Sequence, residues 1–187
     1  MRNDLRNRIL AERKSLDCDT RTKLNYAILE NITNLNNFKT SGNIFTYLNT
    51  PFEAETLRLA EYSLKSGKRV FAPITDSETN MNFAEVTSIK NLKKGFMGIP
   101  EPIDGQEKEP KKGDLFIVPG SVFDLKGHRM GYGKGCYDRY FSQYPDVVKV
   151  GVCYDFQLLE SIPHEKHDID MDILVTDKRT VIVKGDE

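Results

Sequence analysis

No stretch of this 187-residue chain approaches the roughly 18 consecutive apolar residues that a membrane-spanning helix needs. The N-terminal MRNDLRNRIL also lacks the apolar core of a signal peptide. Neither sign of charge is in excess. With 27 Lys+Arg against 28 Asp+Glu the formal net charge is −1, so no general attraction to nucleic acid or an anionic membrane is expected, and any cationic site must be local. The three cysteines, Cys18, Cys136 and Cys153, form no C-x-x-C pair, and an odd number argues against a disulfide framework. Histidine is scarce too. His164 and His167 lie in a polar linker at a spacing that matches no zinc pattern, and both read as solvated. No Ser-His-Asp or Cys-His arrangement, internal repeat or low-complexity segment is apparent. These absences leave a cytoplasmic protein; the length fits one domain or one domain with a small extension, and a single domain over residues 1–187 is expected, as a monomer or weak dimer whose partners are small molecules. Its 39% hydrophobic and 29% charged residues are ordinary for a soluble globular chain.

What is present alternates between helical and strand patterns. Residues 2–16 read as a helix with Leu5, Ile9 and Leu16 on one face and Arg2, Arg6 and Arg13 on another. The arginine stripe is either a solvated basic face or part of a site. A second helix, capped by Asp19 or Thr20, runs to Leu35. Asn43–Leu48 alternates as a strand, and Thr50-Pro51 opens a helix over Glu53–Lys65 that stops at Gly67. Lys68–Ile74, Met81–Val86, Asp114–Gly120 and Val147–Tyr154 read as further strands. Asn91–Gly113 reads as a long irregular connection, and Ile173–Thr176 with Thr180–Lys184 as a terminal hairpin turning at Asp177–Arg179. This order predicts an α/β fold: a three-layer sandwich with a mostly parallel central sheet and helices on both faces. Ligands in such sheets sit beyond the carboxyl ends of the strands, here after Leu48 and after Gly120.

The most informative stretch is VPGSVFDLKGHRMGYGKGCYDRYF, Val118–Phe141. A buried strand leads into a loop with Gly127, Gly131, Gly133 and Gly135, then into a helical pattern (Tyr137, Tyr140, Phe141, Tyr144) that ends before Pro145. That layout offers backbone N–H groups and a positive helix end to an anion. Arg129 and Lys134 add cationic donors, and Asp138 puts a carboxylate on the first helical turn, where a metal ion can be held. The loop fits neither G-x-G-x-x-G nor the P-loop pattern: Cys136 or Asp138 falls where the third glycine belongs, and His128 and Gly135 break the P-loop. Asp168, Asp170 and Asp172 form either a solvated entry to the terminal hairpin or, through one of them, an oxygen ligand for Mg²⁺. Glu53 and Glu55 are either favourable charges at a helix N-terminus or acceptors for a heterocycle's N–H groups.

This stretch closely resembles the signature of the 5-formyltetrahydrofolate cyclo-ligase (methenyltetrahydrofolate synthetase) family: Pro-Gly, Phe-Asp, Gly-x-Arg-Leu-Gly-x-Gly-x-Gly-Tyr-Tyr-Asp. The basic N-terminal helix, Glu53-x-Glu55-Thr56, GIPEP (Gly98–Pro102) and HDIDMDILVTD extend the resemblance over nearly the whole chain. It implies an ATP- and Mg²⁺-dependent enzyme acting on a reduced folate. It further implies that Arg2, Asn3, Asp4, Leu5 and Arg6 together with Arg129, Met130, Gly131, Tyr132, Gly133, Lys134, Gly135, Cys136 and Tyr137 surround ATP, with Arg6, Arg129 and Lys134 catalytic. Leu48, Glu53 and Tyr132–Cys136 would contact folate, and Asp138 and Asp172 would ligate Mg²⁺. Two departures stand out. Cys136 replaces the first tyrosine of Gly-Tyr-Tyr-Asp, and Met97 stands where some members carry an aromatic residue. The competing readings are a non-catalytic folate or nucleotide binder on the same fold, and a phosphosugar isomerase or CoA-transferase-like enzyme on a related sheet.

Overall fold

A computed structural model describes residues 2–75, 80–95 and 98–183. Its central sheet has seven strands. In chain order they are β1 (Asn43–Thr46), β2 (Arg69–Thr75), β3 (Met81–Val86), β6 (Leu115–Pro119), β9 (Val148–Val152), β11 (Ile173–Val175) and β12 (Thr180–Ile182). They lie in the order β12-β11-β9-β6-β1-β2-β3. The pairs β2–β1, β1–β6, β6–β9 and β9–β11 are parallel, and only the two edge strands, β3 and β12, run antiparallel to their neighbours. The expected mostly parallel sheet with a terminal hairpin is therefore present.

Both faces are covered. On one, α2 (Cys18–Asn34) and α3 (Asn36–Thr40) supply Ile28, Ile32 and Phe38 against Ile44, Ile117, Val150 and Val175. Farther along that face α4 (Leu57–Lys65) sets Ala60 against Val70, Ala72 and Val86. The other face is built around phenylalanine: Phe45 stacks on Phe116 and Phe71 with ring centres 4.4 and 4.7 Å apart. There α5 (Cys136–Gln143) adds Tyr140 and Phe141. Gly151, in the middle of β9, leaves room for this packing. A Cβ there would stand 2.6 Å from the Phe123 ring and 2.9 Å from Leu174. Gly151→Ala is therefore expected to cost about 1–3 kcal/mol through overpacking, read as a lower midpoint in urea unfolding.

Three local expectations are corrected. The cap of α2 is Asp17, whose carboxylate accepts from the Thr20 N–H at 2.9 Å and from its hydroxyl at 2.7 Å, and not Asp19 or Thr20. The helix expected from Glu53 begins only at Leu57. Residues 50–53 form a turn (Glu53 N–H to Thr50 C=O, 3.2 Å), and Asn49 Oδ1 accepts from the N–H groups of Thr56 and Leu57, capping α4 from outside. The 91–113 connection contains a hairpin, β4 (Leu92–Lys94) with β5 (Pro100–Pro102). A small second sheet was also not foreseen: β7 (Val122–Asp124) pairs with β8 (Arg129–Met130) and with β10 (Leu158–Leu159) inside the glycine-rich segment. Against it α1 (Arg2–Ser15) packs Leu5 and Ile9 with Val122, Met130 and Ile162. This contact brings the arginine-bearing helix to the glycine loop. The terminal strand ends at Ile182; Lys184, like Met97, lies outside the described residues.

Candidate active site

All five parallel strands end at the same sheet edge, and the chain segments that follow β1 and β6 meet there. After β1, Leu48 is buried and the turn at 50–53 carries Glu53, which is 8% exposed. Its Oε2 accepts from the Thr50 N–H (2.8 Å) and Thr50 hydroxyl (2.9 Å), and its Oε1 accepts from the Tyr132 hydroxyl at 2.6 Å. Glu53 is thus the clasp between the first loop and the glycine loop, and it does not sit on a helix N-terminus. Behind it, Tyr154 O–H reaches Asn25 Oδ1 (2.9 Å), which also accepts from the Glu55 N–H.

Tyr132 is held from a second side. Arg13, 6% exposed, donates from Nη2 to the Tyr132 oxygen at 2.9 Å. Tyr132 as a residue is 46% exposed, while its hydroxyl lies between Arg13 and Glu53. Burial, reinforced by the Glu53 carboxylate and opposed by Arg13, pushes the phenol well above its usual range, so it remains a donor at neutral pH. Removing that hydroxyl (Tyr132→Phe) leaves Glu53 short of a donor and Arg13 short of an acceptor. We expect a loss of about 1–3 kcal/mol in chemical denaturation, with the fold retained.

The loop itself is shaped by two demands. Gly133 and Gly135 have φ of +96° and +65°, in the left-handed region, and Gly135 immediately precedes α5. Gly131 is needed for space, because a Cβ there would stand 2.8 Å from Arg129 Nη1. Arg129 is buried. It donates from Nη1 to the Pro119 carbonyl (3.3 Å) and from Nη2 to Asp138 Oδ2 (2.9 Å), tying the end of β6 to the first turn of α5. Asp138 Oδ1 accepts from the Ile169 N–H at 3.1 Å. Lys134 is exposed at the tip of the loop, and Arg139 Nη2 donates to its carbonyl at 2.7 Å.

Of the arginine stripe of α1, Arg6 and Arg13 face this loop and Arg2 turns to the 165–168 segment, so the stripe is not a solvated face. Arg6 Nη1 lies 3.7 Å from where a Cβ of Gly133 would be and donates to Asn3 Oδ1 at 3.0 Å. Arg2 pairs with Glu165 (3.0 Å) and Asp168 (3.1 Å). Asn3 and Asp4 are exposed on the same helix, and Leu5 packs inward. Asp172 Oδ2 accepts from the Lys149 N–H (2.7 Å) and its Nζ (3.0 Å). Among the described residues no group of three His, Cys, Asp or Glu could cage a metal ion. His164 and His167 are exposed, as expected, and His164 also stacks on His128 with ring centres 3.7 Å apart. Arg13 was missed as a site residue, although its place in the stripe with Arg2 and Arg6 was the available signal.

The class this defines is an α/β protein that presents a glycine loop, flanked by cations, at the carboxyl edge of a parallel sheet. The family model described as the 5-formyltetrahydrofolate cyclo-ligase family matches residues 1–177. A probable 5-formyltetrahydrofolate cyclo-ligase of Caenorhabditis elegans is 32% identical over 170 residues, covering 83% of this chain and 82% of that protein. The Escherichia coli K12 5-formyltetrahydrofolate cyclo-ligase is 32% identical over 139 residues, 71% of this chain and 76% of that protein. Among solved structures, the 5,10-methenyltetrahydrofolate synthetase of Aquifex aeolicus superposes with a TM-score of 0.87 at 33% identity, covering 100% of this chain and 94% of that one. The chain belongs to the 5-formyltetrahydrofolate cyclo-ligase family, and with it to the ligases. No helix among the described residues is long and apolar enough to cross a membrane.

Proposed function

We propose that this protein converts 5-formyltetrahydrofolate to 5,10-methenyltetrahydrofolate while ATP becomes ADP and phosphate. The observation that carries this reading is the position of the glycine loop, joined on one side to Glu53 through Tyr132 and adjacent on the other to Arg6 of α1. Such a loop can take a triphosphate on its cationic side and a folate on the side of Leu48 and Glu53.

The reaction needs activation because nitrogen donates into the N-formyl carbonyl and makes it a poor electrophile. Transfer of the γ-phosphoryl group to the formyl oxygen, releasing ADP, turns that oxygen into a leaving group. N10 then attacks the formyl carbon and gives up its proton, the C–O bond breaks as phosphate leaves carrying that proton, and the five-membered ring of the methenyl product is closed. The protein's part is alignment and neutralisation of charge. In this reading Lys134 and Arg6, with Arg2, face the phosphates, and the backbone N–H groups of Met130–Tyr137 line them. Arg129 contributes its charge from behind while fixing the loop.

Asp138 and Asp172 are each already paired with a cation, Arg129 and Lys149. They suit a Mg²⁺ that arrives with the nucleotide, held largely by phosphate and water, better than a resident metal. When bound there, Mg²⁺ would neutralise phosphate charge. Cys136 leaves the folate side with less aromatic surface than the family signature provides. The test is ADP release from Mg·ATP with and without 5-formyltetrahydrofolate. Folate-dependent ADP, abolished by EDTA, is expected. ADP release indifferent to folate would remove the reading.

A further inference from the structure

Lys134 stands between two glycines in the left-handed region, Gly133 and Gly135, with φ of +96° and +65°. Glycine gives the chain these turns and also leaves it loose, because without a Cβ few rotations on either side of residue 134 are forbidden. A cation that serves a transferring phosphoryl group needs the reverse, a fixed place. A side chain from outside the tip has to supply that restraint.

Arg139 is built to do so. It is the fourth residue of α5 and is exposed. A cation so near the N-terminus of a helix gains nothing from the helix dipole, which favours an acid there, as Asp138 supplies. The stability of α5 therefore does not explain an arginine at this position. Its side chain turns back past the start of the helix. Nη2 donates to the Lys134 carbonyl at 2.7 Å and lies 3.8 Å from Cys136 Sγ. Nη1 lies 3.1 Å from where a Cβ of Gly135 would be, so a larger residue at 135 would push the guanidinium away.

The main chain of the same residue takes the next carbonyl along, since the Arg139 N–H donates to the Gly135 C=O at 3.0 Å. One residue thus holds two consecutive carbonyls of the tip, and the bond to Lys134 comes from a charged donor, which makes it stronger than a neutral one. Arg139 is itself on a fixed base. Its neighbour Asp138 is bound by Arg129, which also reaches the Pro119 carbonyl at the end of β6. The restraint runs from the sheet through Arg129 and the first turn of α5 to Arg139, and ends at the peptide of Lys134.

We infer that Arg139 is a positioning residue for the transfer step: it fixes the peptide of Lys134, and so the ammonium group, without itself touching the nucleotide. This rests on the proposed reaction, and the test separates the two. ATP-dependent formation of the methenyl product is followed for wild type, Arg139→Ala, Lys134→Ala and the double variant, with an unfolding midpoint for each. Arg139→Ala is expected to lower kcat about 10- to 100-fold, as a small misplacement of a catalytic group does. The folate KM and the midpoint should stay near wild type, because the residue is exposed. Arg139→Lys, which keeps a charged donor but not the fork, should recover part of the rate. In the Lys134→Ala background, removing Arg139 as well should lower kcat by no more than about twofold, because its effect passes through a side chain already gone. The same factor in both backgrounds would mean that Arg139 acts on its own, as a direct phosphate ligand would, and overturns the assignment. So does a single Arg139→Ala variant whose kcat stays within twofold of wild type. Both of these leave the reaction standing. A wild type that forms no methenyl product from ATP and 5-formyltetrahydrofolate overturns the reaction and this role with it.

Discussion

Arg129→Ala is expected to unfold the site from within. The guanidinium is buried, spans the Pro119 carbonyl and Asp138 at 3.3 and 2.9 Å, and leaves Asp138 without its cation when removed. Breaking a buried pair by deleting one partner costs about 3–5 kcal/mol, because the surviving charge keeps its desolvation without compensation. The loss should appear as a lower midpoint in guanidinium unfolding, and activity should fall with it because the end of β6 is no longer tied to α5. Arg129→Lys is the instructive control. An ammonium keeps the charge but has no planar fork to reach both acceptors, so it should recover only part of the stability. A wild-type midpoint for Arg129→Ala would show that the fork does not hold the loop.

Lys134→Ala is expected to do the opposite: large in rate, small in stability. Lys134 is exposed at the loop tip, away from the packed core. If it neutralises charge that develops on the transferring phosphoryl group, its loss should lower kcat by about 10²- to 10³-fold, the range seen when one preorganised donor is removed from an active site. The folate KM should stay near wild type and the unfolding midpoint within about 0.5 kcal/mol. The non-catalytic binder predicts something else: weaker nucleotide binding with no turnover to lose.

The sheet was legible because its strands are short apolar runs between turn residues. Met81–Val86 was placed to the residue, and the Leu115–Pro119 and Ile173–Val175 strands within one residue at each end. The glycine loop was legible because left-handed φ at Gly133 and Gly135 and the close approach at Gly131 leave no other residue comfortable. What was not legible depends on partners distant in sequence. Nothing local to Glu53 reveals that Tyr132, 79 residues away, shares its carboxylate with Thr50 and that the segment is held in a turn where helix was expected. Asp17 is a different case: its capping contacts to Thr20 are local, and the role was given to Asp19 or Thr20 because all three residue types suit a helix start. Arg13 belonged to a stripe that the sequence left open between a solvated face and a site, and only the docking of α1 on the small second sheet shows its side chain turned to Tyr132. That sheet is made of pieces two or three residues long, too short for any periodicity to show.

The most direct test of the central claim is optical. Purified protein is mixed with 5-formyltetrahydrofolate, Mg²⁺ and ATP, and the methenyl chromophore is followed by absorbance beside an ATP-free control. The account predicts growth of the chromophore only in the presence of ATP, with ADP appearing in equal amount. A chromophore that grows equally without ATP, or none at all while both ligands are shown to bind, would contradict it.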